Sequence, residues 1–120
     1  MICEFGDVVV VPFPFVEQPV AKRRPAVVLS GAAFNGDSGQ SVLAMITSAA
    51  GSSWPSDLLI KDQQEAGLNR SCVVRWKLFT LPNDLILQRI GELSQGDGER
   101  LSDAARRVLP WRRHVPGAAE

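Results

Sequence analysis

The sequence is poor in the side chains that most enzymes use for chemistry. It has one histidine, His114, near the C-terminus, and two cysteines, Cys3 and Cys72, far apart and without a CxxC partner. That inventory argues against a zinc centre, a disulfide framework, and Ser-His-Asp or Cys-His catalysis. Cys72 lies in an apolar run and reads as a small core residue. No apolar run approaches the roughly 20 residues of a membrane span, and Met1–Asp7 lack the basic n-region of a secretory signal. A cytoplasmic protein without cofactor or metal is the expectation. The net charge of zero makes no global case for nucleic acid.

What is present is an ordinary core. The 120 residues suffice for one domain, and 45% hydrophobic with 22% charged residues is typical of a globular chain. The β-branched run Gly6-Asp7-Val8-Val9-Val10-Val11 reads as a buried strand that must end or reach an edge at Pro12 and Pro14. After a loop at Val16–Ala21, Pro25–Ser30 and Ser41–Ser48 read as further strands. The Gly- and Ser-rich stretch Gly31–Gln40 reads as a loop with at most one helical turn at Ala32–Asn35. Asp57–Ile60 follows as a short strand, and Gln63–Gly67 as a turn closed by a left-handed glycine. Ser71–Arg75 and Lys77–Leu81 read as two strands or one bent strand. Ile86–Leu93 is the last strand, with a helical start near Asn83 as an alternative.

One helix is well signalled. Ser94 can cap it, Asp97 completes a capping-box pattern, and Leu101, Ala104, Ala105, Val108 and Leu109 form one stripe before Pro110 stops it. The expected fold class is therefore mainly β (α+β): a small bent antiparallel sheet or open barrel with a C-terminal α-helix. Residues 1–110 form the domain, and 111–120 read as a disordered tail.

Charge is distributed more informatively than its sum suggests. No acid occurs between Glu17 and Asp37, where Lys22, Arg23 and Arg24 stand at the mouth of a strand. None occurs between Glu65 and Asp84, where Arg70, Arg75 and Lys77 stand. Brought together, these windows make a positive groove on a neutral protein. Guanidinium groups suit phosphate oxygens because their planar forks donate paired hydrogen bonds.

Four pieces occur in order: Gly6-Asp7-Val8-Val9-Val10-Val11, Arg23-Arg24-Pro25-Ala26-Val27-Val28-Leu29-Ser30, Met45-Ile46-Thr47-Ser48, and Ile90-Gly91-Glu92-Leu93-Ser94 leading into the helix. Together they resemble the MazF/PemK family of toxin–antitoxin ribonucleases over about residues 5–109. The resemblance implies an SH3-like barrel, a homodimer, metal-independent cleavage of single-stranded RNA, and a cognate antitoxin that covers the RNA groove. It implies Arg24 and Thr47 as the catalytic pair. Lys22, Arg23, Ser48, Arg75 and Lys77 are candidate phosphate contacts, and Trp54 is a candidate for stacking an RNA base or for plugging the barrel or the dimer seam. Asp7 reads as an organiser of the first strand, and Phe13 and Phe15 as packing residues. One departure stands out. Many family members carry an acid followed by glutamine where this chain reads Arg75-Trp76-Lys77. Two alternatives to a ribonuclease follow: a non-cleaving RNA-binding member, or a gyrase-poisoning toxin acting by protein contact.

Overall fold

The computed structural model describes residues 1–13, 22–51 and 53–111. The expected loop Val16–Ala21, Phe15 and the tail beyond Trp111 lie outside the described residues. Six strands form one antiparallel sheet: β1 (Asp7–Phe13), β2 (Lys22–Val28), β3 (Gln40–Ser48), β4 (Leu58–Leu59), β5 (Cys72–Pro82) and β6 (Gln88–Glu92). Their spatial order is β4-β5-β3-β2-β1-β6. Helix α1 (Ala32–Ser38) links β2 to β3, and α2 (Gln95–Val108) follows β6. The end strands β4 and β6 do not pair with each other among the described residues, so the curled sheet is a half-barrel. No described helix is long and apolar enough to cross a membrane.

Both faces of the sheet are covered, which is why its strands read as unbroken apolar runs. Val8, Val27, Ala44, Ile46 and Val74 pack on one face with Trp76 and with Leu101 and Ala104 of α2. Val9, Val11, Ala26, Val28 and Leu43 pack on the other with Cys3, Leu81 and Ile86.

β1 reaches an edge at its prolines. It pairs with β6 only over Asp7–Val10 but with β2 as far as Phe13. The carbonyl of Val10 accepts from Leu87 N, on the β6 side. Backbone alternation then turns Pro12 to that same side, beyond the end of β6, where its missing N–H costs no ladder bond. The extended β1 carries β2 with it. Val11, Pro12 and Phe13 stand opposite Arg24, Arg23 and Lys22, so the strand begins at Lys22 rather than at the expected Pro25 and the three cations lie on it.

β5 is one bent strand. Ala44 pairs with Leu78 and Met45 with Arg75, which leaves Trp76 and Lys77 as an insertion in the ladder. The expected break fell at this position.

α1 runs a turn further than expected, to Ser38, and is closed by Gly39 at φ +71°. Its polar residues are structural. Asn35 is fully buried; its Nδ2 donates to Cys3 O at 2.8 Å and its Oδ1 accepts from Ser30 Oγ at 2.5 Å. Asn83 Nδ2 donates to Asn35 O at 2.7 Å and Asn83 Oδ1 accepts from Ser41 Oγ at 2.6 Å. A satisfied buried network of this kind selects one arrangement. The last strand, Gln88–Glu92, is shorter than the expected Ile86–Leu93, and a 3₁₀ turn at Asn83–Leu85 stands where the alternative reading put a helical start.

At α2, Ser94 Oγ accepts from Asp97 N at 3.1 Å, as the cap pattern predicts. The reciprocal half of the box is not made. Asp97 instead accepts from Lys61 N at 3.1 Å, Asp62 N at 2.9 Å and Arg100 at 2.6 Å. Leu101 and Ala104 are buried, whereas Val108 and Leu109 remain exposed at the end of the stripe.

Candidate functional site

β2 begins exposed at Lys22-Arg23-Arg24 and ends buried at Ala26-Val27-Val28. β3 runs the other way and ends half-buried at Thr47 and Ser48. The last β2–β3 pair is Ala26 with Met45. Carried two residues on, that register sets Arg24 opposite Thr47, past the point where Pro25 ends the ladder. Arg24, Thr47, Arg75 and Lys77 line one cleft of about 160 Å³, floored by Phe13, Met45 and Ile46.

The cleft contains two kinds of cation. Arg24 Cζ lies 5.2 Å and Lys77 Nζ 5.9 Å from the centroid of the Phe13 ring, so one aromatic side chain serves both. Neither has a carboxylate partner among the described residues. Arg75 differs. Its Nη2 and Nε donate to the two oxygens of Asp57 at 2.8 and 3.2 Å, and its guanidinium sits 4.9 Å from the Trp54 ring centroid. The Asp57 hydrogen bond pushes the Arg75 pKa further up, against the effect of burial, with the charge of Asp57 adding to it. Arg75 is thus committed to a carboxylate, whereas Arg24 and Lys77 have the Phe13 ring as their neighbour among the described residues.

Strand alternation separates the other expected contacts. Arg23, on the opposite face of β2 by alternation, does not line the cleft; it lies along a second groove of about 240 Å³ with Pro25, Gly67, Leu68 and Asn69, which Arg24 also borders. Ser48 likewise points opposite to Thr47, and its Oγ accepts from Ala50 N at 3.3 Å. Lys22 is exposed at the start of β2, opposite Phe13, and does not line the cleft. Trp54 reaches the cleft only through Arg75. A larger hollow of about 440 Å³ lies between Phe5 and α2 and contains none of the expected residues. Asp7 accepts from Glu4 N at 2.9 Å and pairs with Arg89 at 3.0 Å, which fixes the start of β1. Among the described residues, no cluster of three His, Cys, Asp or Glu side chains is placed to hold a metal ion.

Two residues of the site escaped the sequence reading. Phe13 was assigned to packing, yet it forms the floor between two cations. Asp57 carried no assignment. Its signal was available: pairing Leu58 with Val74 sets Asp57 opposite Arg75, an opposite-charge cross-strand pair.

The description "PemK-like, MazF-like toxin of type II toxin-antitoxin system" matches the chain over residues 4–109. The chain belongs to the PemK/MazF toxin family. No curated protein matches it. Among solved structures it is similar to MazF from Deinococcus radiodurans, with 24% identity, a TM-score of 0.70, and coverage of 92% of this chain and 99% of that one. It is similar to a MazE-MazF structure from the same organism, with 21% identity, a TM-score of 0.74, and coverage of 93% and 100%. An endoribonuclease from a mycobacterial species, in complex with its cognate antitoxin, shares 15% identity with a TM-score of 0.71 over 94% and 98% of the two chains. At these identities the likeness speaks to the fold: the mainly β half-barrel with a C-terminal helix is the MazF fold. Within that family frame, the basic triplet Arg75-Trp76-Lys77 resolves into a buried indole, one cation neutralised by Asp57, and one without a carboxylate partner among the described residues.

Proposed function

We propose that this PemK/MazF-family toxin is an endoribonuclease that cuts single-stranded RNA in the Arg24–Thr47 cleft without a metal ion. The observation that carries the reading is the convergence of Arg24 and Thr47, from neighbouring strands, on one cleft with Lys77. In the proposed reaction the RNA 2′-oxygen attacks the adjacent phosphorus and gives up its proton to solvent. The bond from phosphorus to the 5′-oxygen breaks, and that oxygen takes up a proton. The products are a 2′,3′-cyclic phosphate and a free 5′-hydroxyl. Extra negative charge develops on the phosphoryl oxygens, and the guanidinium of Arg24 and the hydroxyl of Thr47 are donors suited to it. Lys77 adds charge without directional demand. A second copy of the chain and a cognate antitoxin complete the proposed assembly in the cytoplasm, the antitoxin by analogy with the mycobacterial complex.

A second reading, a member that binds RNA without cutting it, is favoured by one observation. The position where many members carry an acid is Arg75, and its charge is occupied by Asp57. Purified protein incubated with mixed-sequence RNA in EDTA separates the two. Cleavage that Arg24→Ala and Thr47→Ala both abolish supports the nuclease. Cleavage indifferent to both changes refutes the site, and binding without cleavage selects the second reading.

A further inference from the structure

A half-open indole stands beside the cleft, and its neighbours hold it there. Trp54 is 42% exposed. Its carbonyl accepts from Asp57 N at 3.0 Å, closing the turn Trp54-Pro55-Ser56-Asp57. The side chain of that same Asp57, only 3% exposed, grips Arg75. The guanidinium of Arg75 in turn sits against the Trp54 ring at 4.9 Å. Turn, carboxylate, guanidinium and indole therefore form a closed circuit of contacts. Because Arg75 also lines the cleft with Thr47, the circuit ties the ring to the reaction site.

A contact on the ring restricts its rotation, so a partner that covers the ring meets less further entropic cost than it would on an uncontacted side chain. A flat apolar surface next to a cleft lined by Arg24 and Lys77 matches one chemistry well: a nucleobase whose own phosphate lies in the cationic cleft. We propose that Trp54 is a base-reading platform, on which the base next to the phosphate held at Arg24 and Thr47 stacks. Arg75 and Asp57 are its positioning residues. The proposal rests on the RNA reading above and adds where its sequence preference arises. A purine covers more of an indole than a pyrimidine does, so the platform favours a purine at that position.

The test uses the full chain with Trp111→Phe. Trp111 is 81% exposed and Trp76 only 9%, so Trp54 is then the tryptophan that reports on surface events. Short single-stranded DNA, which has no 2′-hydroxyl to react, is titrated with purine or pyrimidine at each position. Saturable quenching that is stronger for a purine at one position is expected. Trp54→Leu should weaken binding about 5- to 150-fold, the range that base–aromatic stacking supports, and should erase the purine preference. Asp57→Asn and Arg75→Gln should retain binding but blunt both the quench and the preference. Binding with unchanged fluorescence, or a preference that survives Trp54→Leu, overturns the platform while leaving the RNA reading intact. Absence of any nucleic-acid binding, to RNA as well as DNA, overturns both. A fluorescence change that follows protein concentration alone assigns the ring to a second copy of the chain and overturns the platform.

Discussion

Arg24 and Thr47 stand opposite each other two residues beyond the last paired residues of β2 and β3, Ala26 and Met45, and line one cleft. Pro25, between Arg24 and Ala26, has no N–H to continue the ladder, and the two strands part where the cleft opens. Up to that point both strands are pinned by a buried ladder. Two side chains from neighbouring strands can therefore aim at one phosphate without a flexible loop to position them.

This geometry makes Arg24 more demanding than a simple positive charge. A lysine at the same place keeps the charge but loses the planar fork. Arg24→Lys should therefore lower RNA cleavage almost as far as Arg24→Ala, by about 10²–10³-fold if the donor acts mainly in the transition state. Thr47→Ser, which keeps the hydroxyl, should retain more activity than Thr47→Val, which keeps the shape. Single-turnover cleavage of one oligonucleotide under saturation measures both series. Equal losses for Thr47→Ser and Thr47→Val would show that the hydroxyl has no part in the reaction.

The two cations of β5 should separate in a salt titration. Each phosphate neutralised on single-stranded nucleic acid contributes about 0.7 to the slope of log K against log salt. Lys77 has no carboxylate partner among the described residues, so Lys77→Ala should lower the slope by about that amount. Arg75 is held by Asp57 at 2.8 Å, and Arg75→Gln should change the slope much less. Binding isotherms across a range of salt concentrations decide it, and equal changes for the two would show that the Asp57 pair opens on binding.

Much of this arrangement was legible in the residues. Runs such as Val8–Val11 and Ala26–Val28 can be little other than buried strands, and Ser94 marked the start of α2. Arg24 and Thr47 came from the order of motifs, and alternation along two strands does place them on one face. That Arg23 and Arg24 take opposite faces of β2 is not legible while the strand is read as beginning at Pro25, with the cations only at its mouth. Only the pairing of β1 out to Phe13 shows that they obey strand alternation. Asp57 and Arg75 are 18 residues apart and meet through the β4–β5 register, which no local pattern encodes. Asn35 and Asn83 were read as loop and turn formers for the same reason. Their partners lie 32 and 42 residues away in sequence.

Asp97 should make folding sensitive to acid. Burial alone would raise its pKa, but the N–H of Asp62, the guanidinium of Arg100 and the N–H of Lys61 together outweigh burial and hold it below the ordinary carboxylate range. The stability this group contributes is therefore fully present above the unfolded carboxyl value of about 3.9 and is lost as pH falls through the lower folded value. Asp97→Ala removes the acceptor of the Lys61 and Asp62 N–H groups and leaves Arg100 with the Leu59 carbonyl but without its carboxylate, at a cost of about 3 kcal/mol. Urea unfolding at pH 7 and at pH 3 tests this, with the gap between the two proteins narrowing at the lower pH. A gap that stays constant would mean that the carboxylate charge contributes nothing.

Gly91 tests whether the turn before β5 is packed as tightly as it stands. A β-carbon there would lie 2.5 Å from the carbonyl carbon of Ala66 and 2.6 Å from the carbonyl oxygen of Glu65, backbone atoms of the turn ending at Gly67. That turn is also fastened to β6 by the bond from Glu92 N to Glu65 O at 3.1 Å. Neither backbone can yield without breaking this bond, so Gly91→Ala should destabilise the fold by about 1–3 kcal/mol, as overpacking of a rigid contact does. The same substitution at Gly96 meets nothing within 4 Å and removes a glycine from the first turn of α2. Gly96→Ala should therefore raise stability by up to about 1 kcal/mol. Thermal melts of the two variants should move in opposite directions, and a shift of the same sign for both would refute the close approach at Gly91.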